Sequence, residues 1–194
     1  DNPVWREHRR ILQPAFHPDT LPRVADHTDQ AAARLVATLR ALDDLVSQGL
    51  VRYVGCSNWP AWKMMKAHGI ADARGYARFE TVQSYYSIAG RDLERDIVPM
   101  LEDQQMGLMV WSPLAGGQFP PALQQALGEV ATALQATPTQ VALAWLRRLP
   151  GSPLPILGSL RQTRIDEALA GSELQLDAPT WFYLAEAARG IKAP

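Results

Sequence analysis

Apolar residues recur at helical spacing through the first quarter of the chain. The pattern predicts one helix over residues 21–48, because its leucine, valine and alanine positions return every three or four residues. Gly49 predicts the end of this helix, since glycine readily adopts the left-handed conformation that follows a helix. A shorter helix is predicted over residues 1–16, and a polar turn containing a proline, at residues 17–20, separates the two.

Beyond residue 50, short apolar runs alternate with helical patterns four times. Strands are predicted at residues 51–55, 79–84, 107–111 and 154–157. Helices are predicted at residues 59–68, 91–105, 121–135, 137–148, 161–170 and 179–189. Gly69 predicts the end of the first of these helices, and Thr137 with Gln140 has the pattern of a capping box. The alternation predicts an α/β fold with a parallel sheet, in which sites lie at the carboxyl ends of the strands.

The last strand and helix form a candidate anion site. The apolar run at residues 155–157 ends at Gly158 and Ser159, and a helix carrying Arg161 and Arg164 follows. A helix N-terminus attracts phosphate through its free N–H groups and its dipole, and arginine adds charge and forked donors. The alternative interpretation is an ordinary strand–helix unit whose arginines form a solvated basic face.

Composition excludes several classes of function. The net charge of −1 gives no general attraction to nucleic acid or to anionic membranes, so neither is expected as a partner. The 194 residues, 47% of them hydrophobic, suffice for a packed core, and no apolar run has membrane-spanning length. The four histidines show no metal-ligand spacing, so no metal is expected.

The single cysteine bears on the compartment. Cys56 excludes an intrachain disulfide and is typical of a reducing environment, so a cytoplasmic location is expected. Because Cys56 lies in an apolar run, it is predicted to be a buried, inert thiol. It is therefore not assigned a nucleophilic role.

Five segments, in order, resemble the C-terminal half of the aldo-keto reductases. They are ALDDLVSQGLVRYVGCSN at residues 41–58, TVQSYYS at 81–87, GLMVWSPLAGG at 107–117, TPTQVALAWL at 137–146, and residues 155–169. For residues 41–194 the resemblance implies four βα units of a (β/α)₈ barrel, which is a half barrel. It also implies an oxidoreductase that uses a nicotinamide dinucleotide, usually NADP(H).

The resemblance assigns cofactor contacts in three groups. The nicotinamide carboxamide is expected to bind Ser57, Asn58 and Gln83, while Trp111 takes the place of the aromatic residue that stacks on the nicotinamide ring. The pyrophosphate is expected beside Ser112, Leu114 and Gly116. The adenosine and its 2′-phosphate are expected among Gly158, Ser159, Arg161, Arg164 and Glu167. Amide partners suit an amide, and cations at a helix N-terminus suit a phosphate.

The family's catalytic Asp, Tyr, Lys and His come from its first four strands, which have no counterpart here. No catalytic residue is assigned, because no Tyr–Lys pair of the chain occupies the corresponding motif. Residues 2–39 resemble a helical segment of the cysteine-ligated haem monooxygenases, the cytochrome P-450 family, with Trp5 and Arg9 matching its Trp-x-x-x-Arg helix. No haem is expected, since the cysteine-ligand loop is absent. The chain is therefore interpreted as a natural or engineered chimera, with domains at residues 1–40 and 41–194.

Four strands cannot close a barrel, and a half barrel leaves two open edges. A homodimer, or a higher homo-oligomer, is expected to supply eight strands around a two-fold axis. Two alternatives remain: the N-terminal helices cover the sheet within one chain, or the sheet rearranges. Three functions follow from these options, namely an NADPH-linked oxidoreductase, a module that binds NADP(H) without the family chemistry, and a structural assembly without a cofactor.

Overall fold

A computed structural model describes residues 21–151 and 153–191. The chain divides into two compact units, one within Asp1–Arg52 and Gly69–Ala77, the other within Tyr53–His68 and Arg78–Pro194. The predicted helix at residues 1–16, with Trp5 and Arg9, lies outside the described residues. The predicted division at residue 40 rests on resemblance and stays a prediction.

The first unit contains helix α1 (Leu21–Ser47) and the end of helix α2 (Ala61–Arg74). Helix α1 ends within one residue of its predicted end, and Gly49 follows it at φ 71°, as predicted. Leu39 of this helix is buried, with 2% of its surface exposed. Asp43 fixes the chain after α2, because its Oδ1 accepts a hydrogen bond of 2.8 Å from the backbone N–H of Ala77.

The predicted end of the next helix at Gly69 is wrong. Helix α2 continues through Gly69 to Arg74, and Gly75 follows it at φ 67°. Glycine inside a helix costs only about 1 kcal/mol relative to alanine, so the rest of the helix outweighs it. The residue that ends the helix is the glycine that takes the left-handed conformation.

The second unit is built on a four-stranded parallel sheet whose spatial order follows the sequence. Its strands are β1 (Val54–Ser57), β2 (Phe79–Tyr85), β3 (Gly107–Trp111) and β4 (Leu154–Pro155). Each strand is joined to the next by helical segments, which confirms the predicted α/β fold with four βα units of a (β/α)₈ barrel. Strand β1 begins three residues later than predicted, since its pairing with β2 sets its limits. Strand β4 is shorter than predicted, although Ile156 N–H still donates to Val110 O at 2.8 Å.

Five further helices complete the described chain. They are α3 (Ile97–Gln104), α4 (Pro121–Ala133), α5 (Pro138–Arg147), α6 (Gln162–Glu173) and α7 (Ala178–Arg189). The predicted helix at 91–105 is divided into a 3₁₀ turn (Asp92–Arg95) and α3, because Asp96 has a non-helical φ of −139°. The capping box of α5 is confirmed: Gln140 N–H donates to Thr137 Oγ1, and Thr137 N–H donates to Gln140 Oε1. No helix of the described chain is long and apolar enough to cross a bilayer.

An aromatic stack attaches α7 to α5. The rings of Trp145 and Trp181 lie parallel, 4.7 Å apart, and each indole N–H donates to the backbone carbonyl of the other residue. The Arg91 guanidinium lies 5.2 Å from both rings and makes a bidentate ion pair with Glu94 at 2.7 Å. Tyr86 is fully buried and donates to Glu94 at 2.5 Å; burial, followed by this hydrogen bond, raises the pKa of Tyr86. Arg91 thus connects the ion pair with the stack.

Replacing Arg91 is expected to destabilise the fold. Arg91→Ala leaves the partly buried Glu94 carboxylate without its charged partner, which costs about 2–3 kcal/mol of unfolding free energy. Urea denaturation measures this loss. Arg95→Ala removes an exposed charge nearby and should change the unfolding free energy by less than about 0.5 kcal/mol. Equal effects of the two substitutions would contradict the structural role of Arg91.

Candidate functional site

A cleft of about 800 Å³ opens where β3 and β4 end. The chain after β3 and the chain after β4 supply most of its walls, and α5 and α6 supply the rest. The lining residues are Trp111, Ser112, Pro113, Leu114, Gly116, Gly117, Thr139, Leu143, Ile156, Leu157, Gly158, Ser159, Arg164, Ile165, Glu167 and Ala168. The cleft therefore lies at the carboxyl ends of parallel strands, as expected for this class of fold.

The loop after β3 has an unusual backbone. Leu114 has φ −105° and ψ 15°, and Ala115, Gly116 and Gly117 follow with φ values of 50°, 63° and 79°. The N–H groups of Ala115 and Gly117 donate to Ser112 O and Leu114 O within the loop, which leaves the Gly116 N–H as a donor for an anion. Ser112 and Ala115 are not glycine, yet both have φ 50°, a strained conformation that is frequent at binding sites.

Helix α6 lines the cleft from Arg164 onward, and its N-terminus lies beside the cleft, between the lining residues Ser159 and Arg164. No side chain caps this helix, and Arg161 occupies the N-cap position. Ser159 Oγ accepts a hydrogen bond of 3.2 Å from the Arg161 N–H. Arg164 is exposed, lines the cleft, and has no ion pair within residues 21–151 and 153–191. Free helical N–H groups and an unpaired guanidinium are thus available to a phosphate.

Glu167 is held by a neighbouring helix. Its Oε1 accepts a hydrogen bond of 2.5 Å from Thr137 Oγ1, the side chain that also caps α5. Glu167 is therefore a carboxylate in a fixed position on the cleft wall rather than a freely moving surface charge.

A second group of predicted residues meets at the ends of β1, β2 and β3. The Ser57 hydroxyl donates to Gln83 O at 3.0 Å, and Asn58 Nδ2 donates to Ser57 Oγ at 2.9 Å. Trp111 Nε1 donates to Asn58 Oδ1 at 3.1 Å. Trp111 belongs to both groups, since it also lines the cleft with 38% of its surface exposed.

The structure thus brings most of the predicted cofactor residues together. Those that line the cleft are Trp111, Ser112, Leu114, Gly116, Gly158, Ser159, Arg164 and Glu167. Ser57, Asn58 and Gln83 join Trp111 through hydrogen bonds, while Arg161 is exposed beside the cleft and is not among its lining residues.

The sequence interpretation missed the apolar lining and one aromatic neighbour. Leu143, Ile165 and Ala168 line the cleft, and the ring of Tyr85 lies 5.0 Å from that of Trp111. The sequence contains a pattern for two of these residues. Ala168 lies one helical turn after Arg164 and so shares its helix face, and Tyr85 lies two residues after Gln83 and so faces the same side of the strand.

Two further predictions concern groups outside the cleft. Cys56 is half-buried rather than buried, and burial raises the pKa of its thiol to about 11. Within the described residues no cluster of three or more His, Cys, Asp or Glu side chains is arranged to hold a metal ion.

The four parallel βα units and the cleft at the carboxyl ends of their strands place the chain in the class of (β/α)₈-barrel folds. The sequence profile of the aldo/keto reductase family matches residues 16–189, so the chain belongs to the aldo/keto reductase family. The match begins at residue 16 and includes much of the segment 2–39 that was interpreted as a haem monooxygenase fragment. For residues 16–40, membership of the aldo/keto reductase family replaces that interpretation, while the domain division at residue 40 stays a prediction.

Similar proteins include fungal reductases. The chain is 29% identical to versiconal hemiacetal acetate reductase of Aspergillus parasiticus over 76% of this chain and 51% of that protein. It is 46% identical to norsolorinic acid reductase of Aspergillus flavus over 42% of this chain and 21% of that protein. A solved structure of a thermostable aldo-keto reductase in complex with the inhibitor epalrestat matches with a TM-score of 0.71 and 29% identity, over 79% of this chain and 54% of that one. The chain spans about half the length of versiconal hemiacetal acetate reductase and of the solved reductase structure.

Cys56 is expected to react slowly in the folded chain. A pKa of about 11 in place of the ordinary 9.0 lowers the thiolate fraction at pH 8 about a hundredfold. Because folding raises this pKa, the thiol's contribution to stability is complete below pH 9.0 and is lost as the pH rises to about 11. Mass spectrometry after iodoacetamide treatment should show much slower alkylation in buffer than in urea. Because Cys56 is the one cysteine of the sequence, each cysteine alkylation that is detected reports on it. Equal rates of alkylation in buffer and in urea would contradict the raised pKa of the Cys56 thiol.

Proposed function

We propose that this chain is the NADP(H)-binding half of an aldo-keto reductase type oxidoreductase. The observation that carries the proposal is the convergence of three anion-binding features on one cleft. They are the free Gly116 N–H in the loop after β3, the uncapped N-terminus of α6 beside the cleft, and the unpaired Arg164. A dinucleotide phosphate carries separate phosphate groups, and the cleft offers separate donors for them.

The phosphate end of the cofactor fits the wall between β4 and α6. Arg164 can give the 2′-phosphate a charge-assisted, bidentate contact, and the free N–H groups of α6 add their dipole. The free N–H group of Gly116 faces the pyrophosphate in this proposal. Leu143, Ile165 and Ala168 offer apolar surface for the adenine.

The nicotinamide end fits the group around Trp111. The exposed face of the indole suits stacking of a flat ring, and the amide side chains of Asn58 and Gln83 suit a carboxamide. The Gln83 side chain forms no hydrogen bond within the described residues, so it is available to a ligand. When bound, the cofactor supplies or accepts a hydride; the residues of this chain bind and orient it.

We assign no described residue of this chain as the proton donor for carbonyl reduction. Tyr85 packs against Trp111, but its hydroxyl pairs with Ser87 Oγ at 2.9 Å rather than with a lysine. A tyrosine acid needs a neighbouring cation to lower its pKa toward neutrality. The names of the relatives, which are reductases, favour a carbonyl compound as the substrate class. Binding of NADP(H) without turnover is the expected behaviour of the isolated chain.

Arg164 provides the direct test of cofactor recognition. Arg164→Ala should weaken NADPH binding about tenfold to a hundredfold, the range for a lost charged hydrogen bond, and NADH binding less than about threefold. Quenching of tryptophan fluorescence during titration measures both affinities. Arg95→Ala makes the same charge change at an exposed position that does not line the cleft, and it should alter either affinity less than about threefold. Equal losses for NADPH and NADH would contradict the role of Arg164, and no binding to the unaltered chain at millimolar cofactor would contradict the proposed function.

A second copy of the chain is the partner that we propose for the sheet. The half barrel ends in two edge strands. Leu154 on the edge strand β4 is 61% exposed, and Tyr53, which immediately precedes the edge strand β1, is 75% exposed. Around a two-fold axis, β4 of each copy lies beside β1 of the other, so that one arrangement closes both edges. Eight parallel strands then complete the barrel.

Sedimentation equilibrium tests this assembly. The unaltered chain should have twice the mass of one copy, and Leu154→Lys should give a monomer because a lysine charge opposes edge pairing. Leu160→Lys is the matched control: Leu160 is fully exposed and lies outside the strands, so its substitution should preserve the dimer. A monomeric unaltered chain at micromolar concentration, or a dimer that withstands Leu154→Lys, would contradict the arrangement.

A further inference from the structure

Trp111 is held at two points, at its ring and at its nitrogen. Its ring packs against Tyr85 at a centroid distance of 5.0 Å, and its indole N–H donates to Asn58 Oδ1 at 3.1 Å. Tyr85 is itself fixed by Ser87 and by its close approach to Gly90, where a Cβ atom would lie 2.2 Å from Tyr85 Cε1. The indole therefore has a defined position before any ligand binds.

The indole nitrogen determines the direction of a series of hydrogen bonds. An indole N–H only donates, so the Asn58 side chain must turn its oxygen toward Trp111. Asn58 Nδ2 then faces Ser57 Oγ at 2.9 Å and donates to it, and the Ser57 hydroxyl donates to Gln83 O at 3.0 Å. An amide side chain has nearly the same shape when flipped, so its partners decide its orientation. Here the partner that permits only one orientation is Trp111.

We propose that Trp111 is a positioning residue whose N–H orients the Asn58 carboxamide at the nicotinamide end of the cleft. The inference rests on the proposed function, which places the nicotinamide there. Asn58 Nδ2 carries two hydrogens, and its bond to Ser57 uses one of them, which leaves one donor for a carbonyl oxygen such as that of the nicotinamide amide. Phenylalanine at position 111 would still offer a ring for stacking but would leave the amide free to flip.

The hydrogen bond can be tested without a cofactor. In a ¹⁵N-labelled full chain the six tryptophans give six indole N–H signals, and the one lost in Trp111→Phe belongs to Trp111. In Asn58→Ala that signal should move upfield, because the N–H loses its acceptor. In Asn58→Asp it should stay downfield, because a carboxylate oxygen still accepts. An unmoved signal in Asn58→Ala would overturn the inference.

A double-mutant cycle tests the role in binding. Trp111→Phe should weaken NADP⁺ about three- to tenfold, the range for one neutral hydrogen bond, and leave adenosine 2′,5′-bisphosphate unaffected because it lacks the nicotinamide. In the Asn58→Ala background, Trp111→Phe should cost clearly less, since the residue through which it acts is gone. Any change in ring stacking caused by Trp111→Phe occurs in both backgrounds, so it cancels in the difference between the two losses of affinity.

The outcomes of the cycle separate the two proposals. Additive losses from Trp111→Phe and Asn58→Ala would overturn the positioning role and leave the proposed function intact. Equal weakening of both ligands would also overturn it, because that result indicates a general structural effect. Failure of NADP⁺ to bind the unaltered chain would overturn the proposed function, and with it the role of Trp111 at the nicotinamide.

Discussion

Backbone pairing along β2 is the constraint on which the site depends. In the parallel register Ser57 lies opposite Gln83, and Tyr85 lies opposite Trp111. These residues therefore share one end of the sheet, where short hydrogen bonds and ring contacts can form between strands. A slip of one residue would turn their side chains to the other face of the sheet and separate the whole group.

The carboxyl ends of β3 and β4 also position the part of the cleft that we propose for the phosphates. The chain leaves β3 through a strained loop with successive left-handed residues, and it leaves β4 to enter α6 at a helix start without a side-chain cap. A loop with left-handed residues and a helix start without a side-chain cap are each common in proteins. The loop after β3 and Arg164 both line one cleft, and the start of α6 lies beside it, so the groups that favour an anion are close together.

Much of this arrangement follows from local sequence, and the remainder does not. The strand at residues 107–111 and the capping box at Thr137 were predictable, because apolar runs and caps act over a few residues. The limits of β1 were not, since pairing with β2 sets them. The hydrogen bond between Trp111 and Asn58 joins residues 53 positions apart, and no local pattern encodes it. Similarity to the family supplied the candidate residues, whereas the structure supplied the contacts that link them.

We expect the cleft of this chain to bind NADP(H) with the nicotinamide at Trp111 and the 2′-phosphate at Arg164. A crystal structure of the full chain grown with NADP⁺ tests it most directly. The electron density should show the nicotinamide ring stacked on the Trp111 indole and the 2′-phosphate within hydrogen-bond distance of the Arg164 guanidinium. Nucleotide density elsewhere on the chain, or an empty cleft at saturating NADP⁺, would contradict it.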